Sequence, residues 1–593
     1  MDSQTKICQN CHNSFVIDAQ DFEFYEKIKV PSPTFCPECR LIRRMMFRNE
    51  RNLYKRICDL CGKSIITPYH PKYPSPVYCN KCYYSDKWDP CSHSIIYDSK
   101  RPFFEQLGKL ILRVPKVAIH TGTGGSQNVN SEYINFAGGA KNCYLIFNAT
   151  KNEDCAYSRG IIKCRDTFDA YFADQIESCY EVINVNKSNK IIYGQNIFNS
   201  LGSYFVLNCN NVQNCFGCVN LRNKSYYFFN EPLSKNDWIK KTSEILGSYK
   251  KMKMEQKRFE EFSLKFIRKE NNSMKSIDCI GDYAFESKNC FSCFEISACE
   301  NCKYCFAIKH AKDSCDIIGR GINSELLLEC VAVGHGCSKI IGSWSIETSY
   351  DIEYSYDIRT SDNCFGCVGL NHAKNCILNK QYSETEYQKI RKQIIFELKN
   401  KNLYGLYLPI ELSPWAYNET IAQEYFPLTK EQAIEKGYSW KESEERNIIP
   451  DIKTNEIPDH IKDVKDDILN KIIQCQHSKL NPDGSLMADC NEQCTTAFKI
   501  IKPELEFYRK MNLALPRLCP NCRHYQRIKQ KNPLKLWHRK CQCNGDKSSN
   551  GIYKNTIEHF HGNQPCPNEF ETTYSPDRPE IIYCEKCYLA EVA

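Results

Sequence analysis

Between Asn142 and Asn379, cysteines and aromatic residues return about every twelve positions. Neither the 3.6-residue period of a helix nor the two-residue alternation of a strand gives that beat. Cys143, Cys155, Cys179 and Cys215 fall on one twelve-residue lattice, with Thr167, Ile191 and Ser203 at the points between them. The neighbourhoods match too: Asn142-Cys143-Tyr144, Ser178-Cys179-Tyr180, Ser203-Tyr204-Phe205 and Asn214-Cys215-Phe216. The pattern resumes less strictly at Asn289-Cys290-Phe291, Asn301-Cys302, Ser314-Cys315, Asn363-Cys364-Phe365 and Asn375-Cys376. Short apolar runs separated by Asn, Ser and Gly at near-constant period predict a β-solenoid, with small cysteines and aromatics stacked inward and Asn and Ser at the corners.

A longer duplication lies over the first. Asn214-Cys215-Phe216-Gly217-Cys218-Val219 recurs 149 residues later as Asn363-Cys364-Phe365-Gly366-Cys367-Val368. At the same offset, Ser234 with Asp237 and Ser383 with Glu386 each precede a helical run, as the start of a capping box does. Two copies of one module are expected, each closed by a helix.

Chain length allows several domains, and the net charge of +8 over 593 residues does not by itself imply a nucleic-acid partner. Thirty-eight cysteines is the outlying number. No stretch reads as a signal peptide or a membrane span, so a reducing cytoplasm is expected, where paired cysteines hold metal more often than they form disulfides.

The first hundred residues contain four Cys-x-x-Cys pairs, Cys8/Cys11, Cys36/Cys39, Cys58/Cys61 and Cys79/Cys82. Taken two by two they make closed four-thiolate sites suited to structural zinc, the second with zinc-ribbon spacing. Between them, Arg40, Arg44, Arg48 and Arg51 step by four, four and three along a predicted helix from Cys39 to Arg51. That face is a candidate phosphate-binding stripe, against the plainer reading of a solvated surface. Thr121-Gly122-Thr123-Gly124-Gly125 lacks the Lys and the strand-loop-helix setting of a phosphate loop and reads as a turn.

The C-terminal part repeats the N-terminal part. At an offset of 483, Cys11, Cys36, Cys39 and Arg40 become Cys494, Cys519, Cys522 and Arg523. Cys490 is expected to pair with Cys494, with Cys475 as its rival. At an offset of 505, Cys61, Cys79 and Cys82 become Cys566, Cys584 and Cys587, while Asn563 stands where Cys58 would fall. An insertion has separated the first pair, so Cys543, or else Cys541, should supply the fourth thiolate. His559 and His561 are further alternatives, otherwise expected at the surface without a ligand.

Half of the cysteines lie in the repeat, among them the pairs Cys215/Cys218, Cys290/Cys293, Cys302/Cys305 and Cys364/Cys367. Metal, an iron-sulfur cluster or redox chemistry would use such pairs. Because Thr, Ile and Ser fill equivalent lattice points, cysteine as a small core residue is the favoured reading. The repeated Cys-Phe-Gly-Cys keeps Cys215, Cys218, Cys364 and Cys367 as candidate metal or redox residues.

The segments Phe22-Glu23-Phe24-Tyr25, Thr34-Phe35-Cys36-Pro37-Glu38-Cys39-Arg40, Phe47-Arg48-Asn49-Glu50-Arg51, Tyr54-Lys55-Arg56-Ile57-Cys58-Asp59-Leu60-Cys61-Gly62 and Cys519-Pro520-Asn521-Cys522-Arg523-His524 are the residues that carry a resemblance. They resemble a family of large zinc-ribbon proteins from candidate-phyla (Patescibacteria-type) bacteria, and the likeness runs over essentially the whole chain. Some members carry a carnitine/bile-acid type acyl-CoA transferase label, which implies a catalytic Asp in a large α/β fold; nothing in this sequence matches that arrangement.

The expected fold is mainly β with α: duplicated β-solenoid-like Cys-rich repeats flanked by N- and C-terminal zinc-ribbon pairs. In order, the expected parts are zinc module 1 (1–50), zinc ribbon 2 (51–100), a connecting helix and loop (101–130), solenoid A (131–232), a helical insert (233–274), solenoid B (275–381), a capping helix and packing segment (382–440), a charged linker (441–474), zinc module 3 (475–530) and zinc ribbon 4 (531–593). The expected function is a cytoplasmic scaffold or binding module holding about four Zn2+ ions, with nucleic acid or protein as partner and no membrane or small-molecule substrate. Two alternatives stand beside it: a redox or iron-sulfur protein using the central pairs, and a β-helix carbohydrate enzyme using acids such as Asp169, Asp174, Asp351 and Asp357.

Overall fold

A computed structural model describes residues 2–121, 128–442 and 447–592. The glycine-rich turn lies outside the described residues from Gly122 onward, as do positions 443–446 of the expected linker. The chain divides into two units that cut across its sequence order. One comprises Met1–Thr123 with Asn271–Lys441, the other Gly124–Glu270 with Glu442–Ala593. The N-terminal segment expected to hold zinc therefore belongs with the second repeat, and the C-terminal one with the first.

In the second unit, seven parallel strands run in sequence order from Ile134–Gly138 to Tyr204–Leu207. Pairing advances by twelve residues at each step, as in Phe168 to Tyr180, Tyr180 to Ile192 and Ile192 to Tyr204. Isolated parallel bridges keep the same step from Val129 through Lys141, Glu153, Arg165, Glu177, Asn189, Leu201 and Gln213 to Ser225. Left-handed backbone recurs at every third residue, for example Asn142, Leu145, Asn148, Lys151, Asp154 and Tyr157. Asn and Asp accept that conformation at least cost, which accounts for their abundance between the apolar runs. Ile134, Cys143, Ile146, Cys155, Val182, Ile191, Cys215 and Cys218 share one buried cluster. Thiol-sized and β-branched side chains suit so narrow an interior.

The first unit holds a thirteen-stranded sheet. Its register steps by twelve from Lys288 to Glu300 and on to Lys312, by thirteen to Glu325 and Ser338, and by twelve again to Tyr350, Asp362 and Lys374. Those longer steps are why the sequence beat loosens here. Strand Lys288–Ser297 pairs with both Glu300–Lys303 and Phe306–Ile308, and both pair with Ala311–Arg320, closing a small ring of four strands.

The predicted helix starts are present. Ser234 accepts the amide of Asp237 before helix Lys235–Leu246, and Ser383 with Glu386 forms a full capping box before Glu384–Asn400. The stretch expected as a charged linker differs. Ile457, Ile461, Val464 and Ile468 are buried in the same cluster as Phe168, Tyr180 and Phe507 of the second unit. Charged residues between them hid an apolar spacing that short 3-10 turns at Ile461–Asp463 and Asp466–Asn470 bring inward.

Candidate metal centres

Among the described residues, four cysteine tetrads form, each from a β-hairpin side and a helix start. Their members are Cys8, Cys11, Cys36 and Cys39; Cys58, Cys61, Cys79 and Cys82; Cys475, Cys494, Cys519 and Cys522; and Cys541, Cys566, Cys584 and Cys587. In each, the second pair sits on the first turn of a helix, Pro37–Met45, Asn80–Tyr83, Pro520–Lys529 and Glu585–Val592. This departs from the expected pair of ribbon knuckles. Cys-Pro-x-Cys in two of the four was the available signal, because proline at the first helical position marks a helix start. A helix start also favours thiolate through its unsatisfied amides and dipole.

Sulfur separations test the fit to a metal. A tetrahedral ion with metal-sulfur bonds of about 2.3 Å places its sulfurs about 3.8 Å apart. Cys11 and Cys36 are 3.7 Å apart, Cys61 and Cys79 3.9 Å, Cys494 and Cys519 3.9 Å, and Cys566 and Cys584 3.9 Å. These are far beyond a disulfide bond, and all thirty-eight cysteines are free. The four sulfurs with full tetrahedral spacing suit zinc, and such closed sites are structural. About four zinc ions per chain follow.

One hydrogen bond recurs in all four sites and orders their members. The amide of the third cysteine donates to the sulfur of the first at 3.2 Å: Cys36 to Cys8, Cys79 to Cys58, Cys519 to Cys475 and Cys584 to Cys541. Cys475 and Cys541 thus take the positions expected for Cys490 and Cys543. Cys490 stays near, its sulfur 3.8 Å from that of Cys522, but the Cys519 amide bond goes to Cys475. In both C-terminal sites an insertion separates the first pair; in the third it contains the hairpin Ser478–Leu480 with Leu486–Ala488. Burial raises the Cys58 thiol, yet the amides of Cys79, Cys61 and Leu60 outweigh it and bring it down to about 7.

The arginine stripe is not at the surface. Helix Pro37–Met45 ends before Arg48 and Arg51, and Arg40, Arg44 and Arg48 are 2%, 0% and 1% exposed. Arg40 Nε donates to Asp316 Oδ2 at 2.9 Å, Arg44 pairs with Asp316 at 2.9 Å and with Glu329, and Arg48 pairs with Glu50 at 2.6 Å. Arg51 is half-buried. The second unit repeats the device: Arg523 meets Asp169 at 3.1 Å and Arg527 meets Asp169 and Glu181 at 2.9 and 2.7 Å. Burial pushes the Asp316 carboxyl up, but the Arg40 and Arg44 guanidiniums outweigh it and hold it below its usual value. These arginines dock zinc modules onto strands within each unit; they are not free for phosphate.

Two of the four candidate acids are similarly engaged. Asp169 is wholly buried in its arginine pair, and Asp357 accepts from Tyr83 and Arg359. Neither is open to a substrate.

Central thiols are bound to backbone. Cys215 donates to Gln213 O, Cys218 to Phe216 O, Cys364 to Asp362 O and Cys367 to Phe365 O. Ser158, Ser188 and Ser200 donate to the carbonyl two residues back in the same manner, each at 2.8 Å. Serine and cysteine thus make the same local bond. The repeated glycine has a steric reason: Gly217 and Gly366 are left-handed, and a Cβ would lie 2.8 Å from the Phe229 ring and 2.6 Å from that of Phe103.

No helix among the described residues is long and apolar enough to cross a membrane. A search of curated proteins finds no match. The family described as "Probable treble clef zinc finger" matches residues 51–87, the span holding Cys58, Cys61, Cys79 and Cys82. The second N-terminal tetrad is thus similar to a treble clef finger, in keeping with its hairpin Tyr54–Ile57 with Ser64–Thr67 and its helix-borne second pair.

Proposed function

We propose that the chain is a zinc-held binding scaffold for a reducing compartment, built of two β-solenoid units each clamped by two zinc modules, and that it takes a protein partner through basic side chains. The resemblance to large zinc-ribbon proteins of candidate-phyla bacteria is part of this reading. The solenoid description is supported by the twelve-residue parallel register and the left-handed turn at every third residue. Closed thiolate tetrads leave no coordination position for a substrate, which favours a non-catalytic role.

The observation that carries the partner class is a groove of about 850 Å3 in the second unit. Tyr133, Tyr144 and Phe507 line it together with Glu132, Asp154 and Glu506, and among the described residues Lys510 is its one basic lining residue, paired with Asp166 at 2.7 Å. Aromatic faces beside carboxylates attract Lys and Arg side chains and repel phosphate. With the arginine stripe buried, the nucleic-acid reading loses its main support.

Fluorescence anisotropy on the full chain tests this, using a Lys/Arg-rich peptide, an acidic peptide of equal length and single-stranded RNA. The basic peptide should bind, more weakly at high salt, and Glu506→Lys should lower its affinity about tenfold, or ~1.4 kcal/mol. RNA binding without peptide binding would reject the reading.

A second reading has one specific support. In the first unit Cys290, Cys293, Cys299, Cys302 and Cys305 share one buried cluster, with Cys279 packed against it. A redox or iron-sulfur role would be seated there and would give colour or a reducible absorption band.

A further inference from the structure

The last zinc module holds more donors than one ion needs. Cys543, His559, His561 and Cys587 each offer a ligand atom, all within 4.8 Å of one another, and Cys587 also belongs to the tetrad of Cys541, Cys566 and Cys584. We propose that Cys587 bridges two zinc ions, one held by that tetrad and the second by Cys543, His559, His561 and the same Cys587 thiolate.

Both histidines are oriented for it. His559 is 5% exposed; its Nε2 bonds to Glu591 Oε1 at 3.0 Å, and its Nδ1 is buried without a hydrogen-bond partner among the described residues. A carboxylate on the far nitrogen fixes the tautomer and strengthens the near nitrogen as a ligand. Glu591 is itself fixed by the Thr556 amide at 2.9 Å, the Thr556 hydroxyl at 2.8 Å and the Tyr553 hydroxyl at 3.0 Å. His561 is set the same way: its Nδ1 donates to Gln564 O at 2.6 Å, leaving Nε2 facing Cys587 Sγ at 3.5 Å. Metal-sulfur and metal-nitrogen bonds of about 2.3 and 2.0–2.1 Å at a tetrahedral ion put those two atoms about 3.6 Å apart. The two imidazoles lie side by side, centroids 5.5 Å apart and 20° between planes. Cys543 is 1% exposed, and its sulfur accepts from Asn555 Nδ2 at 3.2 Å, a contact that suits a thiolate.

These groups do not merely substitute for a missing fourth ligand. Cys541 already fills the first position of the tetrad, because the Cys584 amide bonds to its sulfur as in the other three sites. The insertion between Cys541 and Cys566 therefore brings three further donors, which Cys587 completes as a second set. Its ion would pin the inserted segment to helix Glu585–Val592, which carries Cys587 and Glu591. The histidines expected at the surface are instead its ligands.

The test uses the full chain, purified with zinc and also exchanged with cadmium-113. Elemental analysis should find one zinc fewer in the His559→Gln, His561→Gln double variant than in the wild type. The wild-type cadmium spectrum should contain one signal shifted toward mixed sulfur-nitrogen ligation and split by a neighbouring cadmium through the shared sulfur. Equal zinc in wild type and variant would overturn the proposal, and so would a cadmium spectrum holding only uncoupled four-sulfur signals. The spectrum needs no variant, so it decides even if the double substitution prevents folding.

Discussion

Arg40 and Asp316 meet at 2.9 Å, both all but fully buried, in the unit that joins the N-terminal zinc modules to the second repeat. Arg523 and Asp169 meet at 3.1 Å in the other unit. A charge taken out of water is tolerable only with its partner in place. The pairs therefore tie the first and the third zinc module each to a particular strand.

Asp316→Asn should lower stability by about 3–5 kcal/mol, since it leaves Arg40 and Arg44 buried with Glu329 alone. Asp351→Asn is the control. Asp351 is 45% exposed and only 3.9 Å from Lys339, so its loss should cost about 0–1 kcal/mol. Urea denaturation followed by circular dichroism measures both, and equal small effects would contradict the docking role.

The helical face of Arg40 and Arg44 was legible in the sequence; its destination was not. A stripe of like charges looks the same whether it meets solvent or acids hundreds of residues away, and Asp316 and Glu329 carry no mark of their pairing. The tetrads show the same divide. Cys36/Cys39 and Cys519/Cys522 could be read from spacing, because a helix start holds both thiols within one turn. Cys475 and Cys541 could not, because an inserted segment that closes on itself returns the chain to the same point at any length. The twelve-residue beat was the most legible feature, since every residue of a repeat answers to the same neighbours one step away.

Cys475→Ser should release about one zinc per chain, whereas Cys490→Ser should keep the full complement. Elemental analysis after desalting reads the difference. Loss of zinc from Cys490→Ser alone would return the first position of the third site to Cys490.

Gly366→Ala should destabilise more than Cys364→Ala. A methyl at Gly366 costs about 1–2 kcal/mol for the left-handed backbone and roughly 1–3 more for displacing the Phe103 ring. Removing one buried sulfur should cost about 1 kcal/mol. The reverse order in thermal melts would mean that Cys364 holds something other than its neighbours.

Lys116 is buried, donates to Val114 O at 2.7 Å and to Ile111 O, and burial lowers its pKa from 10.5 to about 7. Between about 7 and 10.5 the unfolded chain binds a proton that the folded chain does not, so this residue's contribution to stability rises with pH across that window. Lys116→Met should remove that rise. The stability of the wild type relative to the variant should therefore grow by a few kcal/mol from pH 7 to pH 10 in urea titrations. A constant difference would mean that Lys116 keeps its charge.

The most direct test of the division between metal-holding terminal thiols and packing central thiols is elemental analysis with a visible absorption spectrum, on protein purified without oxygen. It should be run on the wild type and on a variant with Cys215, Cys218, Cys364 and Cys367 all changed to Ala. Zinc as the only metal, no visible band and the same zinc content in both proteins is the predicted result. Iron with a charge-transfer band that disappears in the variant would contradict it and move the chemistry into the repeat.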